Sequence, residues 1–407
     1  METVAPVVLV GGGHAAAAFV NSVRRAGFEG RVLLVGDEPV LPYHRPPLSK
    51  KYLADALPVE QILIRAPAWY EEQKVELHLG TRVAAIDRAA RRIVLADGSQ
   101  FDYGWLVLLT GARPRRLPAE IGGELQGVLQ MRSLADADAL APCLLPGKRL
   151  LVVGGGYIGL ETAAVASAKG LQVTLVEAAP RILQRVAAPA TADWFRALHR
   201  SHGVDLREGV SLRRLLADGQ RVCGAELDDG SRIDADGVLV GIGVQPNVEL
   251  AAACGLAVDN GIAVDALCRT SDPSILAAGD CCSFEYRGQR VRLESVQNAN
   301  DQAAAAAHTV AGQDKPYTAL PWFWSDQYDC KLQIAGLNLG HDDVVLRLGK
   351  TERSRSVWYY QGEQMLAVDA INDAAAFVTA KKLLERGASV PKAAAADPAS
   401  EFKTWLS

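Results

Sequence analysis

Two places in the chain share one pattern: a short apolar run breaks at glycines and resumes as small, helix-favouring residues. Residues 7–20 read VVLVGGGHAAAAFV and residues 150–164 read LLVVGGGYIGLETAA. An apolar, β-branched run of strand length, a glycine turn and a helical stretch together predict a strand–turn–helix unit. A second apolar run follows each, RVLLVG at 31–36 and LQVTLV at 171–176, as a βαβ unit requires, and each ends in acid, at Asp37-Glu38 and at Glu177. Alternating apolar positions flank Asp97-Gly98 and Asp229-Gly230. They predict hairpins, read as small antiparallel sheets attached to the main ones.

The apolar run Val4–Val20 lies where a signal peptide would, but Glu2 and Thr3 precede it in place of a basic region, and Gly11-Gly12-Gly13 divide it. It is read as a buried strand turning into a helix. No run reaches the roughly 20 apolar residues that span a bilayer, so no membrane partner is expected. Beyond residue 315 the texture changes. Lys331–Ala335, Asp343–Leu348, Ser356–Gln361 and Gln364–Val368 read as strands, and about Ala374–Arg386 as a helix, with no glycine fingerprint. The expected fold is α/β, two Rossmann-like dinucleotide-binding domains plus a C-terminal α+β domain, with a Pro/Ala-rich tail after Val390 loosely held.

Composition adds exclusions. The 407 residues carry 43 Lys plus Arg against 47 Asp plus Glu, a net charge of −4, with 6% aromatics. That length fits two or three domains, and that balance offers no basic footprint for nucleic acid. Seven cysteines, at 143, 223, 254, 268, 281, 282 and 330, are too few and too irregular for a disulfide framework, so a reducing cytoplasmic compartment is expected. Cys281-Cys282 are read as buried structural thiols. No paired Cys/His spacing, HExxH or GxSxG suggests a metal or nucleophile site.

In the first unit Gly11, Gly13 and Ala16 occupy the G-x-G-x-x-G/A positions, and in the second Gly154, Gly156 and Gly159 fill all three. Such glycines permit a tight turn and close backbone approach to a pyrophosphate, which the helix N-terminus then attracts. Asp37 or Glu38, about 20–25 residues on, can accept from a ribose hydroxyl. Glu177 pairs with a free 2′-hydroxyl and repels a 2′-phosphate, which favours NADH over NADPH, although Arg181 and Arg185 are near enough in sequence to serve a phosphate.

Further motifs extend the picture. Thr110-Gly111-Ala112 follows the strand Trp105–Leu109, Gly241-Ile242-Gly243 follows Asp236–Val240, and residues 270–280 read TSDPSILAAGD. Together they resemble the two-dinucleotide-domain flavoproteins of the glutathione reductase type. LPYHRPPLSK (41–50), GGGYIGLE (154–161), ESVQNA (294–299) and PWFWSDQY (321–328) bring the likeness closer to the ferredoxin reductases that serve oxygenases. That resemblance implies an FAD domain of residues 1–112 and 243–315, an NAD domain of 113–242 and a C-terminal domain of 316–407. It places FAD against Gly11, Gly13, His14, Ala15, Asp37 or Glu38, Arg45, Lys50, Val83, Thr110, Gly111, Arg132, Gly279, Asp280 and Val296. His14, in a usually apolar slot, is read as packing or a phosphate contact. Val296 would begin a helix aimed at the flavin pyrimidine, where its dipole favours an anion. NADH falls on Gly154, Gly156, Tyr157, Ile158, Gly159, Glu161, Glu177 and Gly243. Lys50 and Glu161 resemble the pair at which the hydride arrives.

Disulfide reduction would need a dithiol in the first domain, where no cysteine precedes Cys143. A flavin accepts a hydride and releases electrons singly, so the implied route runs from NADH through FAD to a separate 2Fe-2S ferredoxin, since the chain lacks a cluster's four-cysteine spacing. Arginines suit the carboxylates of an acidic ferredoxin. The docking candidates are Arg65, Arg287, Arg290, Arg292 and Lys331, with Trp322 and Trp324. A monomer is expected. An NADH oxidase, and a non-enzymatic FAD- and NADH-binding signalling protein, remain as alternatives.

Overall fold

The computed structural model describes residues 6–55 and 57–406, so Val4 and Ala5 of the N-terminal apolar run lie outside the described residues. The chain forms two compact units, one of residues 1–44, 58–113 and 244–319, the other of residues 45–57, 114–243 and 320–407. The short segment 45–57 thus belongs with the second unit.

The first unit is built on a parallel sheet in the order Ile275–Ala277, Trp105–Leu108, Val7–Val10, Val32–Gly36, Val75–Leu79. Val7–Val10 is central and every residue in it is buried, which is why it is continuously apolar. Helices His14–Arg25 and Val296–Val310 pack together through Ala15, Ala16, Phe19, Ala303 and Ala306. Their runs of alanine allow close helix approach.

The second unit repeats the arrangement with Asp205–Glu208, Gln172–Glu177, Arg149–Val153, Gly237–Val240 and Val128–Leu129, again parallel. Both expected hairpins form, Arg92–Leu95 with Gln100–Asp102 and Arg221–Leu227 with Arg232–Asp234. A further strand, Val83–Asp87 or Leu212–Asp218, completes each as a three-stranded antiparallel sheet.

The C-terminal part of the second unit is an antiparallel sheet ordered Trp322–Gln327, Cys330–Gly336, Gln364–Ile371, Arg355–Gln361, Asp343–Leu348. Ala376, Ala380, Leu383 and Leu384 of helix Ala374–Glu385 close its core. The expectation of a loosely held tail is corrected. Arg347, only 5% exposed, donates to the carbonyls of Ala394 (3.3 Å), Asp397, Pro398 (3.1 Å) and Ser400 (2.7 Å). Phe402 and Trp405 lie 4.7 and 5.3 Å from its guanidinium. A buried guanidinium needs acceptors for its five N–H groups, and the tail carbonyls supply them. Among the described residues no helix is long and apolar enough to cross a membrane.

Candidate active site

Both glycine turns are sterically compulsory. Gly11 has φ +121°, and a Cβ there would fall 2.2 Å from the Leu109 carbonyl oxygen; at Gly159 it would fall 2.1 Å from that of Gly154. Ala16, at the third position of the first turn, is fully buried, so its methyl is accommodated there. Gly13 and Gly156 are the N-caps of helices His14–Arg25 and Tyr157–Ala168, and neither helix start has a side-chain cap. A Cβ at either N-cap would meet nothing within 4 Å. These are open cradles at uncapped helix starts, the form a dinucleotide pyrophosphate requires, and two fit two dinucleotides.

Within the first unit, Gly279 faces Ala15 and Ala299: a Cβ on it would lie 3.8 and 3.5 Å from their Cβ atoms. This sets Gly279-Asp280 beside both the first glycine turn and the helix begun by Val296, whose N-cap Ser295 accepts from Asn298 N–H at 3.1 Å. Glu38 accepts from the Tyr43 hydroxyl at 2.5 Å, whereas Asp37 is exposed at the end of the second strand. His14 is buried, its ring 5.5 Å from that of His44. Thr110-Gly111 is tied down by Asn247, which sequence reasoning missed: Thr110 Oγ donates to the Asn247 carbonyl and the Asn247 amide donates back to the Thr110 carbonyl, both at 2.7 Å. Val83 opens the three-stranded sheet and is buried. Arg45, Lys50 and Arg132 lie in the second unit, where Arg45 donates to the Arg132 carbonyl at 2.8 Å.

In the second unit Glu177 accepts from the backbone N–H groups of Gly155 (2.6 Å) and Ala179 (2.8 Å). Its carboxylate therefore shapes the second glycine turn from the end of the strand. Tyr157 begins the helix after that turn and packs against Phe323 with the rings tilted, centroids 4.9 Å apart. Ile158 is exposed beside it. The Gly243 carbonyl accepts from Arg115 N–H at 2.9 Å.

One turn into the same helix, Glu161 is 3% exposed and meets Lys50 Nζ at 3.0 Å. Ser49 Oγ donates to its other oxygen at 2.8 Å, and Ser325 Oγ donates at 2.7 Å to the oxygen that Lys50 holds. Burial raises the Glu161 carboxyl above its ordinary range, and Lys50, Ser325 and Ser49 oppose that rise. A short helical turn, Pro46–Ser49, ends on Ser49 and is followed directly by Lys50. Ser325 comes from strand Trp322–Gln327, where the inward positions are Ser325 and Gln327. Neither serine nor Gln327 was singled out from sequence; the available signal was the period-2 placement of Ser325 and Gln327, obscured by the aromatic run before them.

The docking candidates separate by exposure. Arg65, Arg287 and Arg290 of the first unit and Lys331 of the second are exposed. Arg292 is 11% exposed and committed to Glu294 (2.7 Å) and to the Asp280 carbonyl (3.3 Å). Trp322 is half-buried, 6.1 Å from Phe377, and Trp324 lies 5.6 Å from Trp322. Cys281 and Cys282 are fully buried free thiols; burial raises both above the ordinary thiol value.

Two glycine cradles, each closing a parallel βαβ unit, define a flavin- and nicotinamide-type two-dinucleotide-fold protein. Residues 5–303 match the family "Pyridine nucleotide-disulphide oxidoreductase" and residues 322–406 match "Reductase C-terminal"; the chain belongs to this family. It is 43% identical over 384 residues to putidaredoxin reductase of Pseudomonas putida, covering 93% of this chain and 91% of that one. Among solved structures, the ferredoxin reductase for the CYP199A2 system of Rhodopseudomonas palustris matches with a TM-score of 0.95 and 42% identity, covering 99% of this chain and 100% of the other. The reductase in a covalent putidaredoxin reductase–putidaredoxin complex also matches with a TM-score of 0.95, at 40% identity over 99% of this chain and 98% of the other.

Proposed function

We propose that this chain carries electrons from NADH through bound FAD to a 2Fe-2S ferredoxin that supplies an oxygenase. The observation that carries the reading is at Leu41–Lys50. A thiol reductase of this class needs a dithiol in that region, whereas here the segment has no cysteine and sets Lys50 on a buried carboxylate. End-to-end similarity to reductases named for ferredoxin partners supports the same conclusion. When bound, FAD supplies a hydride acceptor that returns electrons one at a time.

The chain's own residues then bind, orient and hold charge. Gly11, Gly13, Ala15 and Gly279-Asp280 receive FAD on residues 1–112 and 243–315, apart from the segment 45–57 that lies with the second unit. Gly154, Gly156 and Gly159 receive NADH on residues 113–242, with Glu177 on the adenosine ribose, and residues 316–407 add the C-terminal domain. Lys50 and Glu161 fix the charge where the nicotinamide enters. Exposed Arg65, Arg287 and Arg290 suit an acidic ferredoxin. Seven free thiols support a reducing, cytoplasmic setting.

The test is cytochrome c reduction by NADH with the FAD-loaded protein and a 2Fe-2S ferredoxin. Turnover that depends on ferredoxin is expected. Fast aerobic NADH consumption without ferredoxin would assign the chain to the NADH oxidases instead.

A further inference from the structure

Ser325 does not end the polar path from Glu161. Gln327 Nε2 lies 3.2 Å from Ser325 Oγ, Gln327 Oε1 lies 2.8 Å from His199 Nε2, and His199 Nδ1 lies 3.3 Å from the Tyr328 hydroxyl. Glu161, Ser325, Gln327 and His199 are all buried, the last three completely. His199 comes from helix Pro189–Ser201, so three separate elements contribute to one chain of bonds inside the second unit.

The chain has a direction, and the carboxylate dictates it. An ionised carboxylate only accepts, so the Ser325 proton points at Glu161 and Ser325 Oγ must itself accept from the Gln327 amide. That places Gln327 Oε1 toward His199 and requires the proton on Nε2, leaving Nδ1 to accept from Tyr328. Burial lowers the imidazole to about 4, so the ring is neutral and one nitrogen is free to accept. Protonating Glu161 weakens the acceptor that aligns every bond, and the aligned series is worth more together than its members apart.

We propose that His199 is a positioning residue for the Lys50–Glu161 pair, aligning Gln327 and Ser325 so that their donors favour the ionised carboxylate. The proposal deepens the function above and rests on it. The titratable groups facing the path are Lys50 and Tyr157 at its inner end and Tyr328 and His202 at its outer end, where the Tyr328 and His202 rings stack 3.7 Å apart.

The experiment follows the pH dependence of flavin reduction by NADH in the FAD-loaded protein. Ser325→Ala is expected to move the acid limb to higher pH and slow reduction about tenfold on that limb. His199→Leu should move it the same way by a smaller factor with KM for NADH unchanged. His199→Gln, which restores an N–H donor, should return it, and the Ser325→Ala/His199→Leu double variant should be no worse than Ser325→Ala alone. A second measurement needs no turnover: nitrogen NMR of the His199 ring should show the Nε2–H tautomer in the unmutated chain and a loss of that preference in Glu161→Leu, which removes the acceptor for the Ser325 hydroxyl. An acid limb that moves in Ser325→Ala but not in His199→Leu overturns the proposal, as does a His199 tautomer indifferent to Glu161→Leu. If His199→Leu does not fold, Gln327→Met takes its place with the same two outcomes. A protein that NADH does not reduce would remove the functional reading alone, and the tautomer measurement would still decide the role of His199.

Discussion

Replacing Lys50 with methionine keeps the length of the side chain and removes the ammonium group 3.0 Å from Glu161. At that distance the attraction is about 5 kcal/mol for an effective dielectric near 20. Because Glu161 is 3% exposed and the Lys50 side chain 19%, solvent screens little of it. Stripping one partner from such a pair costs about 3–5 kcal/mol, most of it the burial of an uncompensated charge. The sign with pH follows from the raised Glu161 carboxyl. A carboxyl raised in the folded state binds its proton more tightly there than in the unfolded chain. Its contribution to stability is full below the ordinary carboxylate range and is lost as pH rises through the folded value. Methionine raises the carboxyl further, so the stability deficit of Lys50→Met should be smaller at pH 5 than at pH 8, growing as the pH rises through the folded value. If about 2 kcal/mol of the pair's energy acts in the transition state, flavin reduction slows about 30-fold while FAD stays bound. Thermal unfolding at both pH values and stopped-flow flavin reduction read these effects. A deficit equal at both pH values, or an unchanged reduction rate, would refute the reasoning.

Glu177→Gln keeps an acceptor for the Gly155 N–H but removes the charge that repels a 2′-phosphate; the NADPH-to-NADH efficiency ratio should rise about tenfold, the equivalent of about 1.4 kcal/mol. Equal use of both nucleotides by the unmutated chain would sink the assignment. Arg65→Glu, Arg287→Glu and Arg290→Glu together should cut ferredoxin reduction at low salt by about 10-fold or more and leave ferricyanide reduction unaffected, with added salt erasing the difference. Salt-independent ferredoxin reduction by the unmutated chain would count against charge steering. Arg347→Met should cost about 2–4 kcal/mol in denaturant titration and open the chain after Val390 to protease, because the carbonyls of Ala394, Ala395, Asp397, Pro398 and Ser400 lose a shared cationic donor. Unaltered cleavage there would show that the aromatic contacts of Phe402 and Trp405 suffice.

The parallel sheets were legible because buried strands are written as unbroken apolar runs, and the glycine turns because only glycine tolerates φ +121° at Gly11 or the 2.1 Å approach at Gly159. Strand bounds in the C-terminal sheet agreed with alternation to within one to three residues; Asp343–Leu348 is one case of full agreement. Strand Trp322–Gln327 was recognised only as a motif, since its three aromatic residues hide the alternation that turns Ser325 and Gln327 inward. The tail was misjudged because its Pro/Ala composition describes local preference, whereas its anchor, Arg347, lies 47–53 residues upstream. The Glu161 shell was unreadable for a related reason: its members sit 112 and 164 residues away in the chain, beyond any local pattern.

That last separation bears on how the protein is made. Residues 149–177 complete the second glycine turn and its βαβ unit well before residue 325 leaves the ribosome, so a nascent chain can shape its nucleotide cradle while Glu161 still lacks Ser325 and the path behind it. The polar shell around Glu161 is finished only when strand Trp322–Gln327 packs on helix Tyr157–Ala168. Completion of that shell is thereby a late event in synthesis, and a truncated product would be left with the glycine cradle but with a buried carboxylate short of its Ser325 donor.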